Sequence, residues 1–254
     1  MMYTKTDLKA SGATAIAGGE YGEVRVSASL KVRGSLKCDS MNCSGSVKIE
    51  ENLDCTGSVS CSGSTKVEGH AAMGSGHFSG SLVCEQNLNV EKGLHCSGSA
   101  KVGGDLRCGE GRFSGSCEVD GSISCQELHC SGKLETSGGV EAEHFVSSGA
   151  LEIPGLLNAE KVEIKISGNC EVGDIGGGTI EVKRDWRGIS FGRGRPRLEA
   201  RTIEGDAVSL ESTCARMVRG KNIRIGRDCE IDRVEYSGEL LVDGGCVHQQ
   251  VRID

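Results

Sequence analysis

The sequence predicts an all-β fold: a single-stranded β-helix, or β-solenoid, of triangular cross-section with 17 to 18 residues per turn. Three observations predict it. Ser-Gly-Ser or a close variant begins at Ser44, Ser62, Ser79, Ser97, Ser114, Ser131 and Ser148, and Ser27-Ala28-Ser29 carries the series back by one row. Within a row, small apolar residues come in pairs two apart, which is the strand period. The chain of 254 residues holds 39 Gly but only 2 Pro, one Trp, three Tyr and four Phe. That is too few large rings for a broad globular core, and it suits a narrow one built by stacking.

Each row then reads in order. The first pair behind the serines is Leu30/Val32, Val47/Ile49, Thr65/Val67, Leu82/Cys84, Ala100/Val102, Cys117/Val119, Leu134/Thr136 and Leu151/Ile153. A corner follows, with Gly34, Gly69, Gly104, Gly121, Gly138 and Gly155. In the two remaining rows Asn52 or Asn87 stands beside that place, and Asn is the residue after Gly that best tolerates left-handed backbone. The second pair starts with Leu36/Cys38, Leu53/Cys55 and Ala71/Met73, and the third with Met41/Cys43, Val59/Cys61 and Gly76/Phe78. One row cannot bury these pairs alone. Stacked in parallel at about 4.8 Å, each inward residue covers its counterpart in the next turn. The alternation of row length is absorbed at one corner, between Cys55 and Cys61 in a long row and between Cys108 and Phe113 in a short one. Parallel crossovers favour a right-handed coil, with left-handed hexapeptide coils as the known exception. About a dozen turns are expected: an N-terminal arm and first turn over 1–26, regular rows over 27–166, and less regular turns over 167–254 that carry a basic insertion at 183–201.

Composition narrows the function classes. The net charge is −7, which argues against strong global attraction to nucleic acid. No apolar run approaches the roughly 20 residues that span a bilayer, and the opening Met1-Met2-Tyr3-Thr4-Lys5-Thr6-Asp7 has no apolar signal region. The expectation is a cytoplasmic protein, peripheral to the membrane if it meets one. Fourteen cysteines contain no Cys-x-x-Cys and fall chiefly in inward columns, so they read as a ladder of buried free thiols. Disulfides between Cys38 and Cys55 or Cys43 and Cys61, one turn apart, stay open on distance alone. The Cys-x4-Cys pairs Cys38/Cys43 and Cys125/Cys130 lack the close third ligand of a zinc or iron–sulfur site. His77, His95 and His129 each precede an inward position and so face outward, as exposed polar residues or as a surface metal site. No phosphate loop, dinucleotide fingerprint or nucleophile elbow survives inspection, and no cofactor is expected. Glu50, Glu51, Glu68, Glu85 and Asp120 lie at one corner. They keep a carbohydrate-active enzyme as a third reading, although the aromatic platforms of such grooves are scarce here.

The sharpest local departure is residues 183–201, with seven Lys or Arg against two acids. Arg184, Trp186, Arg187, Phe191, Arg193, Arg195 and Arg197 form a candidate docking site for an anionic surface, against the plain alternative of a solvated loop. Residues 1–164 carry 14 bases and 21 acids, and 165–254 carry 15 of each.

The Ser-Gly-x-apolar-x-apolar rows of 27–164, with the stretch Asn222–Gly238, resemble the bactofilins, the polymer-forming bacterial cytoskeletal proteins. The resemblance implies a right-handed β-helix that stacks end to end, without nucleotide, into non-polar filaments that scaffold cell shape, polarity or motility. It implies the chain itself as partner, with a paralogue and membrane-associated or envelope proteins as further ones, and no specific nucleic acid. Two features depart from it: rows run over nearly the whole chain, and no apolar anchor opens it. Physics points the same way, because an uncapped solenoid ends in unpaired strand edges. Ile16, Val24 and Val26 at one end and Val247, Val251 and Ile253 at the other are the candidate polymer contacts. The runner-up function is a binding module that docks an anionic partner through the basic segment.

Overall fold

The computed structural model describes residues 5–184 and 196–253. Every described element is a β-strand or a turn, and every described strand pairing is parallel. The chain is a β-solenoid of about 14 turns counted over two compact units, Met1–Cys125 and Gln126–Asp254.

In the N-terminal unit the strand Leu8–Ala10 pairs with the end of Thr14–Val26, and Thr14–Val26 pairs with Ser29–Cys43. From Ser46 onward each turn is a four-residue strand followed by one of eight or nine: Ser46–Ile49 with Leu53–Cys61, Ser64–Val67 with Ala71–Phe78, Ser81–Cys84 with Leu88–Cys96. The sequence rows are the structural rungs. Ser29, Ser46, Ser64 and Ser81 stand in register, as do Leu36, Leu53, Ala71 and Leu88. Three strands per turn were expected. Instead the second and third apolar pairs share one long strand, which turns its corner at a shift in register, as between Cys55 and Ser58. That shift takes up the extra residue of the longer rows.

Two local devices fix these rungs. At the Ser-Gly-Ser corner, a Cβ on Gly63, Gly80, Gly98 or Gly115 would strike the carbonyl oxygen of the glycine one rung before. At the next corner, side-chain amides and a carboxylate replace missing ladder bonds: Asn52 Oδ1 accepts from His70 N at 2.8 Å, Asn87 Oδ1 from Asp105 N at 3.0 Å, and Asp105 Oδ1 from Ser122 N at 3.0 Å. A third rule governs the core. Positions two apart on the third face share a fixed volume, so Gly76 sits beside Phe78, Leu94 beside Cys96, and Gly111 beside Phe113, all buried. A Cβ on Gly76 would come within 2.9 Å of both Leu94 Cδ1 and Phe78 Cε2. Large next to small, alternating up the stack, is how a narrow core reaches crystal-like density.

In the C-terminal unit Val140–Ser147 pairs with Ala150–Ile166, then come Cys170–Arg184, Leu198–Leu210 and Thr213–Ile225. The ladder does not weaken after Ser167. It continues without a fixed row length: Leu151 pairs with Cys170, Cys170 with Leu198, Leu198 with Thr213, Cys214 with Glu230, and Glu230 with Cys246. The basic insertion expected over 183–201 is shorter than that: Lys183 and Arg184 end the strand Cys170–Arg184, residues 198–201 begin the strand Leu198–Leu210, and the two strands pair in register from Cys170/Leu198 to Val182/Leu210. The core here is branched aliphatic, with Ile164, Ile166, Ile180, Val182, Ile203, Val208, Leu210, Ile223 and Ile225 buried.

Candidate functional site

The two units each present an outer strand edge. In the N-terminal unit the outermost rung is Leu8–Ala10 with the first half of Thr14–Val26; each bonds to one neighbour among the described residues. Ile16 lies there, half-buried over Val32. Val24 and Val26 do not. They pair with Leu8 and Ala10 and are fully buried, so the short strand before them, and not they, forms the edge.

In the C-terminal unit the last rung is Leu240–Val242 and Cys246–Arg252. Leu240 and Val242 cover Ile223 and Ile225, and Val247 covers Ile231. The inward place over Val234 is taken by Gln250, so Val251 stands opposite Glu235 instead of in the apolar stack. Ile253 lies just past the strand, its N–H donating to the Tyr236 carbonyl at 2.8 Å. Val242 and Ile253 are each more than a third exposed. Leu240 and Val242, not among the sequence candidates, belong to the edge as much as Val247 does.

Below that rung sits a charged cluster that no sequence pattern marks. Glu235 is almost fully buried between Arg219 at 2.8 Å and Arg233 at 2.6 Å. The Arg219 guanidinium, helped by Arg233, holds its carboxyl below the usual carboxylate range.

Of the basic docking candidates, Arg184 and Arg197 are described; Trp186, Arg187, Phe191, Arg193 and Arg195 lie outside the described residues. Arg184 reaches Asp228 at 3.3 Å and Arg197 reaches Glu199 at 2.7 Å. Of the corner acids, Glu50, Glu68 and Glu85 form a ladder of ion pairs, Lys31–Glu50 at 2.8 Å, Lys48–Glu68 at 2.8 Å and Lys66–Glu85 at 2.6 Å, and Glu51 accepts from Ser35 Oγ at 2.9 Å. His77 and His95 stack on adjacent rungs with ring centroids 5.0 Å apart. All fourteen cysteines are unbridged; eleven are buried, Cys125 and Cys214 are half-buried, and Cys246 is exposed.

No protein-family model matches the chain, and no solved structure does. Two curated proteins of Bacillus subtilis (strain 168) are similar to it. The uncharacterized protein YhbF is 40% identical over 97 residues, 38% of this chain and 39% of YhbF. The uncharacterized protein YhbE is 40% identical over 90 residues, 34% of this chain and 38% of YhbE. The matched stretches thus span about two fifths of each relative.

Proposed function

We propose that this is a non-enzymatic bacterial cytoskeletal scaffold that assembles end to end, without nucleotide, into filaments supporting cell shape, polarity or motility. The observation that carries the reading is the pair of strand edges that have one neighbour each among the described residues. Each offers a row of backbone donors and acceptors, and no helix among the described residues lies over them. Such edges template pairing with another chain. Around the last rung the half-exposed Leu240 and Val247, with Val242 and Ile253, add apolar surface to the contact. Like ends meeting across two-fold axes give the non-polar filament that the sequence resemblance implies. No described helix is long and apolar enough to cross a membrane, which fits a scaffold placed in the cytoplasm and reaching the membrane through partners.

The test is negative-stain electron microscopy of the full chain with reductant and no nucleotide. Filaments are expected, and the double variant Val242→Lys, Ile253→Lys is expected to shorten them to single copies or pairs. Uniform short particles from the unaltered chain, at every concentration and salt, would overturn the reading and favour a binding module.

A further inference from the structure

We propose that His77 and His95 form a surface site for a divalent transition-metal ion of the kind that imidazole favours, Zn²⁺, Ni²⁺ or Cu²⁺, held by one ring from each of two consecutive rungs. Both residues lie in Met1–Cys125 and stand in register on the adjacent parallel strands Ala71–Phe78 and Leu88–Cys96.

The core places the two rings. His77 lies between the inward Gly76 and Phe78, and His95 between the inward Leu94 and Cys96, all four buried. The packing that fixes those neighbours fixes both backbones, and strand alternation turns both imidazoles to the same outer side. Their ring centroids are 5.0 Å apart with planes at 36°. An ion bonded to two imidazoles at about 2.0–2.1 Å needs its donor nitrogens roughly 3 Å apart. Rings already side by side at 5.0 Å reach that separation by turning about their terminal torsion, which is soft for histidine.

The nitrogens are available. Neither ring makes a hydrogen bond or an ion pair among the described residues. His70 and His129 differ: His70 Nδ1 accepts from Asn87 N at 3.3 Å, and His129 Nε2 faces Glu127 at 3.5 Å. The setting also admits a cation. On the next rung Arg112 stands in register with His95, and its guanidinium is held by Glu110 on its own strand, which offsets its charge. On the rung before, the register partner of His77 is the uncharged Ser60. Two residues before His95 the strand carries Gly93, where a Cβ would lie 3.3 Å from His95 Nε2. That nitrogen therefore faces bare backbone, with no side chain over it. Two protein donors leave the other coordination positions to water, so the site is an open one. An ion there ties one rung to the next, and its binding free energy adds to the stability of that stretch. Nothing in this depends on filament formation.

The experiment titrates nickel chloride into the untagged full chain by isothermal calorimetry, with Cys246→Ser in the background to remove the exposed thiol. One tight Ni²⁺ per chain is expected. Because the second imidazole binds with the advantage of an intramolecular contact, His77→Gln and His95→Gln are each expected to weaken binding by about tenfold or more, and the double variant to lose little beyond either. His144→Gln, at another exposed histidine, is expected to leave the affinity unchanged. Electron paramagnetic resonance of the chain loaded with one Cu²⁺ is expected to show two imidazole nitrogens, falling to one in either single variant. Unaltered affinity in His77→Gln or His95→Gln, additive losses in the double variant, or a copper spectrum with a single nitrogen in the unaltered pair would each overturn the proposal.

Discussion

The two units solve one problem differently. In Met1–Cys125 the rung length is held near 17 or 18 residues, and the glycine rail shows why: at that corner the backbone of each rung lies directly on the one before, so neither an extra residue nor a Cβ fits. In Gln126–Asp254 the rail runs on to Gly149, whose Cβ would lie 1.6 Å from the Gly132 carbonyl oxygen, and stops after it. At Gly168 a Cβ would meet only the Ala150 Cβ, at 3.4 Å. Equivalent positions then stand anywhere from 15 residues apart, Leu198 and Thr213, to 28, Cys170 and Leu198. Regularity in a solenoid is thus enforced where backbone touches backbone. Where that contact is relieved, large aliphatic residues carry the stack and the chain can spend residues on insertions.

The sharpest way to break this contrast is to place the same methyl group on both rails. Gly98→Ala is expected to destabilise the N-terminal unit by about 3 kcal/mol, because its Cβ has only carbonyl oxygens to move against. Gly168→Ala is expected to cost under about 0.5 kcal/mol, since its nearest neighbour lies at ordinary contact distance. Urea denaturation followed by circular dichroism compares them; equal losses would refute the rail as the cause of regularity.

A somewhat smaller effect tests the volume rule. Gly76→Leu alone should cost about 2 kcal/mol by overpacking. Combined with Phe78→Cys, which copies the Leu94/Cys96 rung, most of that loss should return. The double-mutant cycle reads the coupling directly, and additive losses would mean the two positions do not share a volume.

The smallest effect concerns the charged cluster below the last rung of the C-terminal unit. The folded Glu235 carboxyl titrates below its ordinary range. Its contribution is therefore complete above the ordinary carboxylate value and is lost as pH falls through the lowered one. Hydrogen-exchange protection of residues 230–252 should fall in acid. In Glu235→Gln the protection should already be reduced at pH 7 and respond less to acid.

Much of this was legible in the sequence, because stacking demands the same kind of residue at the same place in every rung. The serine period, the apolar pairs and the buried thiols all follow from that demand. What escaped was whatever does not repeat. The strand Leu8–Ala10 is three residues long and carries no period, so Val24 and Val26 were taken for an edge that it covers. Glu235 and Arg219 meet across a 16-residue step where the row length had already changed, so no column aligned them. Gln250 entered the inward column for the same reason. Thr65 did leave a signal, as a hydroxyl in a column of apolar side chains, but a single exception in a degenerate repeat reads as tolerance until its unpaired oxygen is seen.

The shared contact geometry of successive rungs also bears on how such a chain changes over generations. Within 46–102 each rung meets the ones before and after through the same corner and the same paired columns. Loss or duplication of one whole rung by slippage in its repeated coding DNA leaves both flanking surfaces able to rejoin. Length is then a heritable trait that can drift in steps of one rung without passing through an unfolded ancestor, provided the large and small partners of the third face still alternate.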